Sequence, residues 1–200
     1  MQQLLLFPTV FGHTVIEKNT DELKKNKNFL PSNNNEKFSG RFDRSRDEYH
    51  ALDKFPRIKK LLTDEFKSFI SDLGYTRNFK MSTSWFTVMN PGDEGHDHLH
   101  QNSFYSGIYY YDEYEEECGS VQFESPETQL CKLYVTPNNY NEANGHSAIV
   151  SPKKNLLILF PSYIYHKVNR HTGTKPRYSV AFNFIPTSEF GSGDSTIDFS

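Results

Sequence analysis

Residues 98–110 read HLHQNSFYSGIYY, and residues 156–166 read LLILFPSYIYH. Both stretches are rich in the apolar and aromatic residues that favour buried β-strands. Because side chains alternate between the two faces of a strand, His98 and His100 are expected to point the same way. His166 ends the second stretch, and an imidazole from a distant strand can join this pair around one metal ion. The spacing therefore predicts a metal site formed by His98, His100 and His166.

A metal held by three imidazoles keeps coordination positions open, which suits non-haem iron chemistry with oxygen and a chelating ligand. A second register is also compatible with the sequence, because His96 and His98 would share a face as well. The pair His98 and His100 is preferred because it lies closer to the strand that follows. In that register Asp97 points away or accepts a hydrogen bond from an imidazole. His171, in a later loop, is interpreted as solvated.

The last β-forming segment begins at Arg177, and its two faces differ in character. One face carries polar or small side chains: Arg177, Ser179, Ala181 and Asn183. The other face is apolar and aromatic, as expected where a strand packs on a helix: Tyr178, Val180, Phe182 and Phe184. The polar face is interpreted as a cavity wall, although a solvated sheet face has the same pattern.

The same counting places Tyr110 on one face of its strand with Ser106 and Ile108. A tyrosine hydroxyl beside an arginine fork would bind one carboxylate from two sides. Trp85, Tyr105 and Asn183 are interpreted as further candidates for the walls of this pocket.

One amphipathic helix is predicted from Pro56 to about Leu73, since its apolar residues recur with the helical period. Proline suits its first turn, and Gly74 suits its end. After it the sequence predicts strands over residues 81–89, 104–111, 120–124, 132–136, 147–150, 155–160 and 177–185. Helices followed by many short strands indicate a mainly β fold with flanking helices, either an antiparallel sandwich or an open barrel.

The 200 residues are predicted to form a single domain. Residues 1–80 would supply helical support and a loop, residues 81–187 the β core, and residues 188–200 a fraying tail. Leu4–Phe7 is interpreted as a short strand or an anchoring segment. The Asn- and Lys-rich stretch 19–40 is interpreted as a loop or a mobile lid.

Composition argues against several kinds of partner. The net charge is −3 and the basic residues are scattered, so nothing indicates a nucleic-acid partner. No stretch approaches the length of a membrane span, so no membrane partner is expected. Cys118 and Cys131 are the two cysteines, and this scarcity is typical of a reduced, cytoplasmic protein.

Four segments together make the chain resemble the iron(II)- and 2-oxoglutarate-dependent oxygenases, and among them a family found in bacteria and marine phages. They are Leu6–Thr9, Ser84–Trp85, His98–Tyr110 and Phe160–Asn183. The third is similar to the pattern His-x-His-x-Asn-Ser-Phe-x-Ser-Gly-x-Tyr-Tyr. The fourth, Phe-Pro-Ser followed by His and then Arg-x-Ser-x-x-Phe-Asn, is the most specific. The resemblance covers most of the chain.

The resemblance implies a double-stranded β-helix, which is a jelly-roll or cupin-like fold, and a dioxygenase that uses Fe(II), 2-oxoglutarate and O2. In this superfamily an arginine some ten residues after the distal histidine binds the far carboxylate of 2-oxoglutarate, and ten residues separate His166 from Arg177. Tyr110 and Ser179 are expected to assist the arginine. The implied reaction forms succinate and carbon dioxide while hydroxylating an unidentified substrate, such as a protein side chain or a small molecule. The implied location is the cytoplasm of a bacterium or of a phage-infected host, and a homo-oligomer is left open.

One departure from the superfamily pattern lies at His100, which stands where the motif His-x-Asp/Glu carries an acid. A third imidazole would make the site more cationic; alternatively, Asp97 or a water would complete it. Two other functions suit a barrel of this kind: a three-histidine cupin-type dioxygenase or isomerase, and a non-enzymatic binding barrel. Gly92 followed by His98 and His100 is similar to the first cupin motif, but the later Glu of that motif is absent, and Arg177 has no role in such an enzyme.

Overall fold

Alternation of apolar and polar residues organises the chain into two facing antiparallel sheets in the computed structural model of the protein. The structure describes residues 7–18, 20–25, 43–44, 49–75, 78–129, 135–141, 143–187 and 189–198. The helical elements are α1 (Asp21–Lys25), α2 (Pro56–Asp72) and the 3-10 turns Ala51–Lys54, Pro126–Gln129 and Gly193–Ser195. The strands are β1 (Gly12–Val15), β2 (Asp43–Arg44), β3 (Phe79–Met89), β4 (Tyr105–Tyr109), β5 (Val121–Glu124), β6 (Ser147–Val150), β7 (Leu156–Pro161), β8 (His166–Val168), β9 (Arg177–Pro186), β10 (Glu189–Phe190) and β11 (Ile197–Asp198).

The main sheet has six strands in the order β1-β7-β4-β9-β3-β2, and α2 packs on its outer face. The predicted helix is confirmed, since it begins at Pro56 and is followed by Gly74 in the left-handed conformation that glycine adopts without strain. The Phe66 ring stacks on the Phe184 ring at 3.8 Å, and both side chains are fully buried. Within the described ranges, no helix combines the length and the apolar content that crossing a bilayer requires.

The second sheet has three strands in the order β6-β5-β8, and an isolated bridge between His98 and His166 extends it by one residue pair. Its apolar face packs against the inner face of the main sheet, where the Phe123 and Phe160 rings meet edge to face at 4.9 Å. Eight buried residues form this inner core: Ile108, Tyr110, Val121, Phe123, Leu156, Ile158, Phe160 and Ile164. Two antiparallel sheets closed around such a core form the predicted double-stranded β-helix.

A β-bulge in β3 decides which of its side chains face inward. The register with β9 shifts between Met81 and Thr83, so one extra residue is accommodated in β3. Met81 lies in the outer core, but after the bulge Phe86 takes the outer face. Because the extra residue shifts the alternation by one, Thr83 and Trp85 point to the inner face instead.

Predictions for the N-terminal part need correction. β1 pairs with β7, with Gly12 opposite Leu159, so residues 12–15 belong to the main sheet and not to a helical support. Residues 21–25 form α1 with Leu23 buried in the outer core, because an apolar side chain there closes the edge of that core. Residues 19 and 26–40 of the predicted loop, and residues 4–6 of the predicted anchor, lie outside the described residues; Phe7 is exposed and is not in a strand.

Two further predictions fail or fall outside the structure. The tail predicted to fray has regular structure in its described part, since β10 pairs with β11 in a short antiparallel hairpin. The strand predicted over residues 132–136 lies mostly outside the described residues, and positions 135 and 136 are not in a strand. Cys118 is a buried free thiol, and Cys131 lies outside the described residues.

Replacing Gly107 by alanine is expected to destabilise the fold by about 1–3 kcal/mol, as overpacking of a core does. A Cβ at this position would lie 2.3 Å from Phe182 Cε2 and 3.0 Å from Leu159 Cδ2, both in the fully packed outer core. Urea denaturation would measure the loss. Gly12→Ala is the matched control, because the three atoms nearest to its Cβ, from 2.9 Å outward, all belong to the half-buried Phe69 ring, and that ring can move. An equal loss in both variants would contradict this account.

Candidate metal centre

The three predicted histidines converge at one point between the two sheets. One potential ligand atom from each of His98, His100 and His166 lies within 4.8 Å of the other two, and the ring centroids are 4.3–5.2 Å apart. The isolated backbone bridge between His98 and His166 brings together two rings that are distant in the chain. His96 has an exposed side chain and is not part of this group. The structure therefore presents the register that pairs His98 with His100.

Two of the imidazoles are held in a defined tautomer. Nδ1 of His98 lies 2.9 Å from the backbone oxygen of His96, and Nδ1 of His166 lies 2.9 Å from that of Ile164. A carbonyl oxygen can only accept a hydrogen bond, so each Nδ1 carries the proton and each Nε2 has a free lone pair. Of the two alternatives for Asp97, the structure agrees with the one in which it points away, since its side chain is exposed and backbone carbonyls act as the acceptors.

Burial keeps all three imidazoles neutral at physiological pH. Desolvation, reinforced by the neighbouring imidazoles, lowers the pKa of His166 to about 3 and the pKa of His100 to about 4. Desolvation also lowers the pKa of His98. A neutral imidazole is the form that binds a metal, so protons do not compete for this site near pH 7.

The depressed pKa values predict that the metal-free protein loses stability as the pH falls from 6.5 to 5. Unfolded histidine takes up a proton near pH 6.5, whereas folded His166 does not, so the unfolded state binds more protons and folding stability decreases. The expected loss from His166 alone is about 2 kcal/mol over this interval. Urea denaturation at both pH values would measure it. His166→Gln should show a weaker pH dependence, and an unchanged dependence would contradict the assignment.

Arg177, at the start of β9, lies in the same inner layer and is almost completely buried. Its Nη2 donates to the Tyr110 hydroxyl at 3.0 Å, and Cζ lies 5.0 Å from the centroid of that ring. Its Nη1 contacts Met89 Sδ at 3.1 Å. Tyr110 joins the same apolar cluster as Phe160, whose ring lies 4.8 Å from the His166 ring. The arginine and the histidines are thus connected through one continuous inner core.

The guanidinium of Arg177 is a buried cation that lacks an acidic partner within the described residues. Its Nε is also buried without a hydrogen-bond partner. Burial raises the pKa of Tyr110, so its hydroxyl remains protonated and can donate while it accepts from Arg177. A buried charge without a counter-ion is costly, and donors from two side chains converge here. The site fits a bound carboxylate.

A chain of hydrogen bonds crosses the inner face of the main sheet near His100. The Ser106 hydroxyl donates to Asn183 Oδ1 at 2.8 Å and also lies 2.8 Å from the Ser162 hydroxyl. The single Ser106 proton goes to Asn183, so Ser162 donates to Ser106. Asn183 Nδ2 then donates to Thr83 Oγ1 at 2.9 Å. These side chains form a polar wall in the layer that also holds the arginine.

The other predicted pocket residues fall on both sides of the main sheet. Trp85 is half-buried with its ring 5.5 Å from that of His100, and the buried Ser179 hydroxyl lies 2.6 Å from that of Thr87 on the inner face. Ile108 lies in the inner core as well. Tyr105 does not line the pocket, because alternation along β4 turns it outward, where it meets Phe69 of α2 at 5.4 Å.

His171 is fully buried, so the prediction of a solvated side chain is wrong. Its Nδ1 accepts from the Gly173 N–H at 3.1 Å, and its Nε2 bonds the Lys175 carbonyl at 2.7 Å. These bonds shape the loop before Arg177 from within. A local sequence cannot distinguish such a residue from a solvated histidine, because its partners are backbone groups of its own loop.

Three inner-face residues were missed from the sequence: Thr83, Met89 and Ser162. Because side chains alternate along a strand, counting by two from Trp85 places Thr83 and Met89 on the same face as Trp85. The sequence therefore contained the signal for these two residues. Ser162 carried no such signal, since it lies in the turn after β7. Its backbone oxygen accepts from the His100 N–H at 3.0 Å, so the turn supports the metal centre directly.

Solved structures share this fold at low sequence identity. A prolyl-4-hydroxylase from Pseudomonas putida is 15% identical with a TM-score of 0.57, and the match covers 88% of this chain and 92% of that one. HygX from Streptomyces hygroscopicus, solved with nickel, 2-oxoglutarate and hygromycin B, is 12% identical with a TM-score of 0.61 and coverages of 90% and 84%. SnoN, a non-haem α-ketoglutarate-dependent epimerase of nogalamycin biosynthesis, is 9% identical with a TM-score of 0.63 and coverages of 91% and 79%. These similarities establish the fold.

The family profile described as "Putative 2OG-Fe(II) oxygenase" matches residues 83–183, from the bulge in β3 to the polar wall on β9. No protein of curated function matches the sequence. Enzymes of this family use Fe(II), 2-oxoglutarate and O2. Since the matched segment covers half of its length and includes the three converging histidines, the chain belongs to the family of iron(II)- and 2-oxoglutarate-dependent oxygenases and is an oxidoreductase.

Proposed function

We propose that this oxygenase couples the oxidative decarboxylation of 2-oxoglutarate to hydroxylation of a second substrate. His98, His100 and His166 would hold the iron, and Arg177 with Tyr110 would hold the far carboxylate of 2-oxoglutarate. Ser179, two residues after the arginine on the same face, would complete the cosubstrate pocket. The observation that carries this proposal is the buried Arg177, which lacks an acidic partner among the described residues and lies in the inner layer that leads to the histidines.

The residues divide the task by their chemistry. Three neutral imidazoles offer lone pairs to a divalent ion and leave its charge uncompensated, so a dianionic chelating ligand is favoured electrostatically. Arg177 fixes the orientation of that ligand, since its planar fork matches a carboxylate. The apolar side chains of the inner core, Phe160 and Ile158 among them, would shield the two groups from water. When bound, iron(II) supplies the oxygen chemistry, and the protein supplies position and shielding.

The second substrate is a separate part of the proposal. A protein side chain and a small molecule are both candidates, because proteins of the shared fold include a prolyl-4-hydroxylase and a protein solved with hygromycin B. The polar wall of Thr83, Asn183 and Ser106 would form the side of the cavity that receives this substrate. The half-buried Thr83 hydroxyl accepts from Asn183 and keeps its own proton to donate, which suits a substrate with oxygen or nitrogen atoms near the reacting carbon.

An anaerobic titration tests the metal and cosubstrate assignments together. We expect the protein with Fe(II) to develop a visible charge-transfer absorption when 2-oxoglutarate is added, because the 2-oxo acid chelates the metal. 2-Oxobutyrate, which lacks the far carboxylate, should bind much more weakly, since it leaves Arg177 without a partner. Admission of O2 should then yield succinate. An absent absorption band, or equal affinity for the two acids, would overturn the proposal.

A further inference from the structure

His100 is held differently from the other two imidazoles. The rings of His98 and His166 are each fixed by a hydrogen bond from Nδ1 to a backbone carbonyl two residues earlier. Neither ring nitrogen of His100 has a hydrogen-bond partner in the part of the chain that the structure describes. Two ligands are therefore fixed in tautomer and direction, whereas the third depends on other contacts.

Trp85 is the aromatic neighbour that β3 supplies to His100. Their ring centroids are 5.5 Å apart with planes inclined by 39°. The bulge at β3 is what turns Trp85 to the inner face, because without the extra residue the alternation would point it toward α2. Bulges occur preferentially beside active sites, where they redirect a side chain. The contact thus depends on a departure from regular strand geometry.

The backbones that carry these two rings are joined by the polar chain across the sheet. The His100 N–H donates to the Ser162 carbonyl, and the Ser162 side chain begins the series that runs through Ser106 and Asn183 to Thr83. Thr83 lies two residues before Trp85 on the same face of β3. The turn behind His100 and the strand behind Trp85 are therefore tied together by buried, mutually satisfied polar groups, which rigidify their surroundings.

We propose that Trp85 is the positioning residue of His100, and that its ring does for this ligand what a backbone carbonyl does for His98 and His166. The inference rests on the proposed metal-binding function. A large flat ring beside the imidazole limits its rotation and so lowers the entropy that metal binding would otherwise remove. Hydrogen-bonding groups that support a metal ligand typically affect metal affinity by about 10–100-fold, and we expect the lower end of this range for an aromatic contact.

Cobalt(II) binding to the whole protein tests this proposal without a substrate. We expect Trp85→Leu to weaken Co²⁺ binding by about tenfold, because His100 loses its support, and Trp85→Phe to remain close to wild type. The visible spectrum of Co²⁺ bound to Trp85→Leu should shift toward that of His100→Ala, since both have lost an ordered third imidazole. A role in folding alone would change stability and leave this spectrum unaltered.

Phe123→Leu is the matched control. Phe123 lies 5.7 Å from the ring of His166, a distance like that of Trp85 from His100, but His166 is already fixed by its hydrogen bond. We expect this variant to keep its Co²⁺ affinity and spectrum. Equal losses in the two leucine variants, or an unchanged spectrum in Trp85→Leu, would overturn the positioning role while leaving the metal site intact. Wild-type protein that fails to bind Co²⁺ would overturn the proposed function and this inference together.

Ser106→Ala provides a second variant should Trp85→Leu fail to fold. It interrupts the polar chain and retains Trp85, the single tryptophan of the sequence. Bound Co²⁺ should quench the fluorescence of this tryptophan in the wild type, because the ring lies beside His100. We expect Ser106→Ala to require a higher Co²⁺ concentration for the same quenching. Identical titration curves would count against the connection between the two rings.

Discussion

Arg177→Ala is expected to weaken binding of 2-oxoglutarate by roughly 2–5 kcal/mol, which is about 30-fold to several thousand-fold in dissociation constant. Arg177 is buried, bonds Tyr110 and lacks an acidic partner within the described residues, so its loss would leave a carboxylate desolvated and unpaired. The affinity for the metal should hardly change, because the arginine is not a ligand. Calorimetry on the anaerobic Fe(II) form, or on the Ni²⁺ form, would measure both affinities.

Two milder variants resolve which property of Arg177 matters. Arg177→Lys keeps the charge and loses the planar fork, so it should retain part of the 2-oxoglutarate affinity. Tyr110→Phe removes one hydroxyl donor and leaves the charge in place, so its effect should be smaller than that of Arg177→Ala. Unchanged 2-oxoglutarate affinity in the alanine variant would show that the cation serves the packing of the barrel instead, and would contradict the proposed cosubstrate site.

His166→Ala is expected to reduce metal affinity by more than about 100-fold. Removing a group that only supports a ligand reduces metal affinity by up to about 100-fold, and removing the ligand itself should have a larger effect. The His166 ring is buried, neutral and fixed with Nε2 available, so it is the most completely prepared of the three ligands. His98→Ala should have a similar effect for the same reason. Quenching of Trp85 fluorescence by Co²⁺ would measure the affinity of each variant.

His96→Ala is the control for the histidine variants. The ring of His96 is exposed, while its backbone carbonyl orients His98, and alanine keeps that carbonyl. We therefore expect the affinity of His96→Ala for Co²⁺ to equal that of the wild type. A large loss in His96→Ala together with a small loss in His100→Ala would mean that the other histidine register binds the metal.

The sequence was most informative where a single periodicity governs a whole element. The helical period placed α2 and its buried face, and the strand alternation separated Tyr110 from Tyr109 and grouped Arg177 with Ser179 and Asn183. Tyr109 lies in the outer core and Tyr110 in the inner core, as that alternation requires. Such patterns are visible locally, because the side-chain direction follows from the backbone conformation alone.

Sequence reasoning failed where a contact depends on groups distant in the chain or on the backbone. His171 is buried by bonds to its own loop. Tyr105 is a different case, because alternation along β4 already places it on the outer face with Tyr109, so the local pattern argued against a pocket role. β1 was read as part of a helical support because its four residues join the sheet only through β7, far along the chain. Loop backbones and long-range strand pairing leave no periodic signal in a local sequence.

The sequence by itself determined the set of candidate ligands, the arginine with its alternating neighbours, and the class of fold. Only the tertiary structure decided between the two histidine registers, because the bridge from His98 to His166 depends on how the segment before β4 meets the start of the distant β8. It also showed that backbone carbonyls fix two imidazoles while Trp85 borders the third. The identity and spacing of residues determine which chemical groups are available. Packing between elements determines the tautomer and burial of the imidazoles, and it also leaves Arg177 without a counter-ion among the described residues.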